Sequence, residues 1–136
     1  MKALILNSGR GSRMEDITST HPKCMTEISS NETILSRQLR LIKAAGINDV
    51  IITTGYMADT LKDYCKNLDL ELNIQFVHSE KFETTNYIYS MYLAKDLLDD
   101  DILLMHGDLV FDFDVLVRML ENENSCMKVS SSLDLP

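Results

Sequence analysis

Short apolar runs alternate with amphipathic segments along most of this 136-residue chain. The apolar runs have the length and composition of buried strands. In the segments between them, apolar residues recur every three or four positions, as they do on one face of a helix. The predicted strands are Lys2–Asn7, Val50–Thr54, Leu72–Val77 and Ile102–Met105, with a further candidate at Met127–Leu133. The predicted helices are Ile34–Ala45, Ala58–Cys65, Asn86–Leu98 and Asp112–Leu120. Strands that alternate with helices predict an α/β fold with a mostly parallel sheet, helices on both faces and right-handed crossovers.

The first predicted strand opens into a glycine turn with the sequence Leu4-Ile-Leu-Asn-Ser-Gly-Arg-Gly-Ser-Arg-Met14, and Pro22-Lys23 follows at a distance. Glycine tolerates the backbone angles that let several N–H groups point at one anion. The chain has a net charge of −8, so a triphosphate site must concentrate its few cations locally. Arg10, Arg13 and Lys23 do so, which predicts a nucleoside triphosphate site.

Two common phosphate-binding loops do not fit this turn. A P-loop requires Gly-Lys-Ser/Thr after four residues, whereas Gly11 is followed by Ser12 and Arg13. A dinucleotide-binding fingerprint requires a third glycine, but Met14 stands in that place. It also calls for an acidic residue at the end of the second strand, which here ends in Thr54.

Composition favours one soluble globular domain, taken as residues 1–136, with 45% hydrophobic and 25% charged residues. No apolar run approaches the length of a membrane span, and no signal-peptide pattern precedes the first strand. Cys24, Cys65 and Cys126 are widely spaced and odd in number, so a disulfide framework or zinc site is not expected. A cytoplasmic location, with neither nucleic acid nor membrane as partner, is therefore predicted.

The glycine turn and the later Pro-Lys pair together resemble the signature of the nucleotidyltransferase (nucleoside-diphosphate-sugar pyrophosphorylase) superfamily. Asn7-Ser8 stands where that superfamily usually carries two alanines. Within it, the chain is most similar to bacterial phosphocholine cytidylyltransferases. That similarity is carried by Pro22-Lys-Cys-Met25, Glu83-Thr-Thr-Asn-Tyr-Ile-Tyr-Ser-Met-Tyr92 and His106-Gly-Asp-Leu-Val-Phe111. The resemblance covers residues 1 to about 120.

The resemblance implies a Rossmann-like three-layer sandwich of the GT-A-like nucleotidyltransferase type, with strand order 3-2-1-4. It also implies Mg²⁺-dependent transfer of a nucleotidyl group from a nucleoside triphosphate, CTP in the first instance, to a small phosphate monoester such as phosphocholine. Pyrophosphate is the other product. Two alternatives stay open: a sugar-1-phosphate nucleotidyltransferase, and a truncated nucleotide-binding module without turnover.

In the implied strand order, Asp108 follows the fourth strand and lies beside the glycine turn. A carboxylate there suits Mg²⁺, which prefers hard oxygen ligands; the alternative is an ordinary turn or capping aspartate. Arg13 is assigned to the β- and γ-phosphates, Lys23 to the α-phosphate and the incoming phosphate, and Asp108 to the metal. The predicted nucleotide-binding residues are Leu6, Asn7, Ser8, Gly9, Arg10, Gly11, Ser12, Thr85, Asn86, Ser90 and Gly107.

Two features of the later part of the chain leave alternatives. Thr85 and Asn86 either read the edge of a pyrimidine base or cap the following helix, and both roles are compatible. Five aromatic residues either box a choline ammonium or pack at the rim of the core, and packing is favoured: Phe82, Tyr87, Tyr89, Tyr92 and Phe111.

The resemblance also implies a second half that completes the sheet and supplies a second metal aspartate. After Asp108, the sequence offers little beyond Asp134 for that role before it stops at Pro136. A truncated chain is therefore expected. An incomplete sheet would expose an edge or an apolar face, which makes a homo-oligomer a candidate state.

Overall fold

The first strand lies inside a four-stranded sheet of the computed structural model, which describes residues 1–9 and 20–127. The strands are β1 (Lys2–Asn7), β2 (Glu27–Ser29), β3 (Glu32–Thr33), β4 (Asp49–Thr54), β5 (Asn73–His78) and β6 (Ile102–His106). The helices are α1 (Ile34–Ala44), α2 (Ala58–Asn67), α3 (Tyr87–Leu93) and α4 (Phe113–Leu120), with single 3₁₀ turns at Lys23–Met25 and Lys95–Leu97.

The large sheet is parallel and has the order β5-β4-β1-β6. Its register places Ile5 of β1 between Ile52 of β4 and Met105 of β6. Counted along the chain among the four strands predicted within the described residues, this is the order 3-2-1-4, which confirms the prediction. All four strands therefore end at the same edge, where ligands bind in open α/β sheets.

Helices cover both faces of the sheet, which explains why its central strands are apolar throughout. Ala3 and Ile5 point into a core shared with α1, α2 and α4. Leu4 and Leu6 point to the opposite face, where Ala94 at the end of α3 packs against them. The predicted three-layer arrangement is confirmed. Because side chains alternate between the two faces along β1, this alternation also determines the direction of the side chain that follows the strand.

The helix α1 forms where the sequence predicts it, because local residues define both its start and its end. At its start, the Thr33 hydroxyl accepts a hydrogen bond from the Ser36 N–H at 3.1 Å, and the Ser36 hydroxyl accepts one from the Thr33 N–H at 2.9 Å. At its end, Gly46 has φ +87°, a conformation that favours glycine. Between these ends, Leu35 and Leu39 are fully buried.

Two local features differ from the sequence expectation. The hairpin of β2 and β3 was not predicted, because β2 is exposed and the pair is too short to show an apolar alternation. The helix predicted over Asn86–Leu98 ends at Leu93. There the Ala94 N–H is shared between the carbonyls of Ser90 and Met91, which tightens the chain into a 3₁₀ turn. Of the candidate strand Met127–Leu133, Met127 alone lies within the described residues.

Several apolar side chains remain exposed on the α3 side of β6. Leu104 is 42% exposed, and Ile88 and Tyr92 on α3 are each 59% exposed. Self-association through this face stays a prediction. Over residues 1–9 and 20–127, the structure contains no helix with the length and apolar character needed to cross a membrane.

Candidate active site

A cleft of about 580 Å³ opens at the edge of the sheet where β1 and β6 end. These two strands are neighbours although about a hundred residues separate them in the sequence. The cleft is lined by Leu6, Asn7, Ser8, Gly9, Pro22, Lys23, Cys24, Thr85, Asn86, Tyr87, His106, Gly107 and Asp108. The strand order thus brings together segments that the sequence keeps far apart.

Most of the described residues in the predicted site line this cleft. They are Leu6, Asn7, Ser8, Gly9, Lys23, Thr85, Asn86, Gly107 and Asp108. Ser90 is 1% exposed and is not among the lining residues. Its hydroxyl instead hydrogen-bonds the Ser8 hydroxyl, which ties the end of β1 to α3. The predicted phosphate contacts Arg10, Gly11, Ser12 and Arg13 lie outside the described residues.

Lys23 and Asp108 form an ion pair within the cleft, with 3.1 Å between Lys23 Nζ and Asp108 Oδ2. Their side chains are 33% and 47% exposed, so the pair is open to solvent and contributes at most about 1 kcal/mol to stability. Cys24 is 2% exposed and anchors the 3₁₀ turn that begins at Lys23. The sequence predicted both members of the pair for one site, and the structure places them in contact.

Asp108 is the candidate metal ligand, and its setting fits a nucleotide-bound Mg²⁺. Among the described residues, no three His, Cys, Asp or Glu side chains gather into a group that would hold an ion without help. Mg²⁺ in nucleotide sites is bound by one or two carboxylates together with the phosphates and water. A solvent-open carboxylate paired with a single mobile ammonium is compatible with that mode of binding.

The turn that carries Asp108 is fitted closely to the end of β1. The Gly107 N–H donates to the Leu6 carbonyl at 3.0 Å, which extends the β1–β6 pairing by one step. A Cβ atom on Gly107 would lie 1.4 Å from Asn7 Oδ1 and 3.0 Å from the Leu6 carbonyl oxygen. Any larger residue at position 107 would force Asn7 or the turn to move, because the Asn7 side chain fills the space beside Gly107.

Gln38 was missed by the sequence analysis, although its side chain touches this turn. From α1, its Nε2 group donates to the His106 carbonyl at 3.0 Å and to the Leu109 carbonyl at 2.8 Å. Gln38 is 1% exposed and lies on the same face of α1 as Leu35 and Ile42. The signal in the sequence was a polar residue on an otherwise apolar helical stripe.

Asn86 takes the capping role that the sequence left open, whereas Thr85 makes a hydrogen bond outside the cap. Asn86 Oδ1 accepts from the Ile88 N–H at 3.0 Å and so caps α3. The Thr85 hydroxyl donates to the Lys81 carbonyl at 2.6 Å. Both residues also line the cleft, so capping fixes the position of the segment that faces a ligand.

One aromatic pair reaches the cleft. The rings of Tyr87 and His106 meet edge to face, with 5.2 Å between their centroids. The other four aromatic residues considered for a choline box are not among the described lining residues, and Tyr92 instead carries the Lys95 ammonium 4.4 Å from its ring centroid. Phe111 packs against the main core, whereas Tyr87 and Tyr92 are exposed, so the choice between core packing and a choline box stays a prediction.

The cysteines provide a test of how tightly the core beneath the cleft is packed. Burial raises the pKa of the Cys24 thiol to about 12, and burial raises the pKa of the Cys65 thiol to about 12 as well. At pH 8 only about one such thiol in ten thousand is ionised. We therefore expect a thiol reagent to label the exposed Cys126 quickly, and Cys24 and Cys65 only on unfolding.

Mass spectrometry of the labelled native protein measures these three rates separately. Equal labelling of the three thiols would contradict this packing.

The raised pKa values also predict how the stability of the folded protein depends on pH. In the unfolded chain a cysteine thiol has its ordinary pKa of 9.0, whereas the buried thiol of the folded protein stays protonated well above that pH. Stability should therefore fall as pH rises from 9.0 towards 12.

Comparison with known proteins gives a consistent result. A family model described as nucleotidyl transferase matches residues 2–131. The chain is 32% identical over 126 residues to a CTP:phosphoglutamine cytidylyltransferase of Campylobacter jejuni, an alignment that covers 88% of this chain and 48% of that protein. It is 33% identical over 116 residues to the mannose-1-phosphate guanylyltransferase catalytic subunit beta of Xenopus tropicalis, covering 83% and 32% respectively.

A solved structure of CTP:phosphocholine cytidylyltransferase from Streptococcus pneumoniae has the same architecture. It matches with a TM-score of 0.67 and 31% identity, over 79% of this chain and 44% of that chain. The predicted nucleotidyltransferase-like fold is thereby confirmed. The chain spans about half the length, or less, of these relatives.

Proposed function

Because this chain belongs to the nucleotidyl transferase family, we propose that it transfers a nucleotidyl group from CTP to a small phosphate monoester. The reaction would depend on Mg²⁺ and release pyrophosphate. The observation that carries this proposal is the contact of Lys23 with Asp108 in a cleft at the end of β1. It provides a cation for phosphate and a carboxylate for a metal within one site.

Transfer of this kind asks little covalent chemistry of the protein. A phosphate monoester is already anionic, so it can attack the α-phosphorus without a strong general base. The obstacle is to bring two polyanions together and to stabilise the negative charge that moves onto pyrophosphate. Cationic side chains and directed N–H groups meet that need.

The residues proposed for the site would each meet part of this need. The backbone at Ser8 and Gly9 would cradle the triphosphate, and Arg13 would bind its outer phosphates. Lys23 would hold the α-phosphate and the acceptor phosphate, as a mobile point charge suits two ligands in succession. Asp108 would hold Mg²⁺, which when bound neutralises part of the triphosphate charge. Thr85, held by its hydrogen bond to the Lys81 carbonyl, and Asn86, held as the cap of α3, would face the base.

CTP and a phosphocholine-like acceptor are preferred because cytidylyltransferases are among the similar proteins, at 32% and 31% identity. The segment Glu83–Tyr92 that resembles phosphocholine enzymes supplies three cleft residues, Thr85, Asn86 and Tyr87, and Asn86 is also the cap of α3. The mannose-1-phosphate guanylyltransferase at 33% identity supports the second candidate, a sugar-1-phosphate acceptor with a different base.

Calorimetric titration with CTP, UTP, GTP, ATP and dTTP, each with and without Mg²⁺, tests the proposal. We expect selective binding of CTP that Mg²⁺ strengthens, followed by release of pyrophosphate when phosphocholine is added. Preference for GTP with turnover on mannose 1-phosphate would favour the sugar-phosphate candidate. Binding of CTP without turnover on any acceptor would favour a nucleotide-binding module, and binding of none would overturn the proposal.

A further inference from the structure

We propose that Gln38 is a positioning residue, which holds the turn from His106 to Leu109 so that Asp108 is set in place before any ligand arrives. This inference rests on the function proposed above, in which Asp108 is the metal ligand. It assigns a functional role to a residue of the core that does not line the cleft.

The geometry of the contact is specific. The single Nε2 group of Gln38 donates one hydrogen to the His106 carbonyl and the other to the Leu109 carbonyl, at 3.0 Å and 2.8 Å. These carbonyls flank Gly107 and Asp108 on either side. The turn also closes on itself through the Leu109 N–H, which donates to the His106 carbonyl at 3.2 Å. One carboxamide therefore clamps both ends of the turn that carries the carboxylate.

The presence of glutamine at this buried position indicates that its two hydrogen bonds to the turn are its contribution. Gln38 is 1% exposed and sits among Leu35, Leu39 and Ile42 in the main core. A buried carboxamide is unfavourable unless it is fully hydrogen-bonded, and the Oε1 atom of Gln38 is buried without a hydrogen-bond partner. Packing alone would be served better by leucine or methionine, so what the glutamine supplies is its two donors.

Other contacts fix the same segment from different sides. The Gly107 N–H is bound to the Leu6 carbonyl at 3.0 Å, and the Asn7 side chain fills the space beside Gly107. Further along, Arg37 donates to the Phe111 carbonyl at 3.0 Å. The backbone around Asp108 is thus braced by β1 and α1, while the Asp108 side chain stays 47% exposed for a ligand. A metal ligand held this way needs little rearrangement when the metal binds.

The test compares Gln38→Met with Gln75→Met in the full chain. Methionine keeps the approximate volume but removes both donors. Gln75 is exposed on β5, at the edge of the sheet opposite to β6, which leads into the turn. We expect Gln38→Met to weaken Mn²⁺–CTP binding and to lower kcat at least tenfold, with the KM for the acceptor and the metal-free affinity for CTP unchanged. Gln75→Met should match the wild type in all four quantities. A loss confined to the metal-dependent quantities is what a purely structural role of Gln38 would not produce.

A measurement on the wild type keeps the inference falsifiable should the variant fold poorly. The side-chain Nε2 protons of Gln38 should exchange slowly with solvent in the free protein, and their NMR signals should stay in place when Mg²⁺ and CTP are added. Rapid exchange in the free protein would overturn the inference, as would wild-type Mn²⁺–CTP binding and kcat in Gln38→Met. Failure of the wild type itself to bind Mn²⁺–CTP would instead overturn the proposed function, and this role of Gln38 with it.

Discussion

Replacing Asp108 with alanine is expected to abolish the Mg²⁺ dependence of CTP binding and to lower turnover at least about a hundredfold. Loss of a group that merely orients a metal ligand typically lowers metal affinity or activity by about 10- to 100-fold, and Asp108 is proposed as the ligand itself. The substitution also removes the partner of Lys23, which lies 3.1 Å away. The freed ammonium can then meet a phosphate directly, so CTP binding in the presence of EDTA should be retained or strengthened.

Opposite responses with and without metal make this prediction specific. Calorimetry of the wild type and Asp108→Ala, in Mg²⁺ and in EDTA, gives both values. Asp114→Ala is a suitable control, because Asp114 is also an exposed aspartate and lies in the first turn of α4, outside the cleft. Equal loss of CTP binding in both buffers would mean that Asp108 supports the fold of the site and does not act through a metal.

Replacing Gly107 with alanine is expected to disrupt the site from within. The new Cβ would lie 1.4 Å from Asn7 Oδ1 and 2.4 Å from Asn7 Cγ, distances at which one of the two groups must move. Overpacking of this kind typically costs about 1–3 kcal/mol. If the turn moves in place of Asn7, Asp108 moves with it, so Mg²⁺-dependent CTP binding should weaken at least tenfold.

The clash has an identified partner, and a second substitution can remove it. In Asn7→Ala/Gly107→Ala most of the lost stability should return, since the two contacts shorter than 3.0 Å are removed and the approach to the Leu6 carbonyl oxygen is 3.0 Å. Gly9→Ala serves as the control for stability, because a Cβ there meets nothing within 4 Å among the described residues. Urea unfolding of the wild type, the two single variants and the double variant gives the interaction energy, and additive effects of the two substitutions would refute this account.

The sequence predicts the centre of the fold because the strands β1 and β4 are buried on both faces. The run Lys2–Asn7 reads as a strand without any neighbour being known, and Gly46 marks the end of α1 from its residue type alone. The β2–β3 hairpin gives no such signal, because it is short and partly exposed and so leaves no periodic pattern.

Whether a residue of the candidate site could be predicted from the sequence depended on a property other than burial. Lys23 and Asp108 could be predicted together because their types suit phosphate and metal, and the resemblance supplied the strand order that joins them. Gln38 could not be found this way, since its role depends on two backbone carbonyls about seventy positions later in the chain. The sequence shows that a polar residue stands on the apolar stripe of α1, but not which groups it binds. Ser90 shows the converse, because its type suits a ligand but its hydroxyl is bonded to Ser8 inside the protein.

The strand order also bears on how this protein takes shape during its synthesis. β1 pairs with β4 on one side and β6 on the other, and Lys2 meets Ile102 a hundred positions further along. At a translation rate of about 5–20 residues per second, several seconds pass between the synthesis of β1 and that of β6. One side of β1 stays unpaired during that time. During that interval its unpaired backbone N–H and C=O groups are open to chaperones and to other nascent chains. Since Asp108 follows β6, the pairing of this side of β1 and the placement of the candidate metal carboxylate occur in the same step, so a ligand such as CTP would act on the step in which β6 docks.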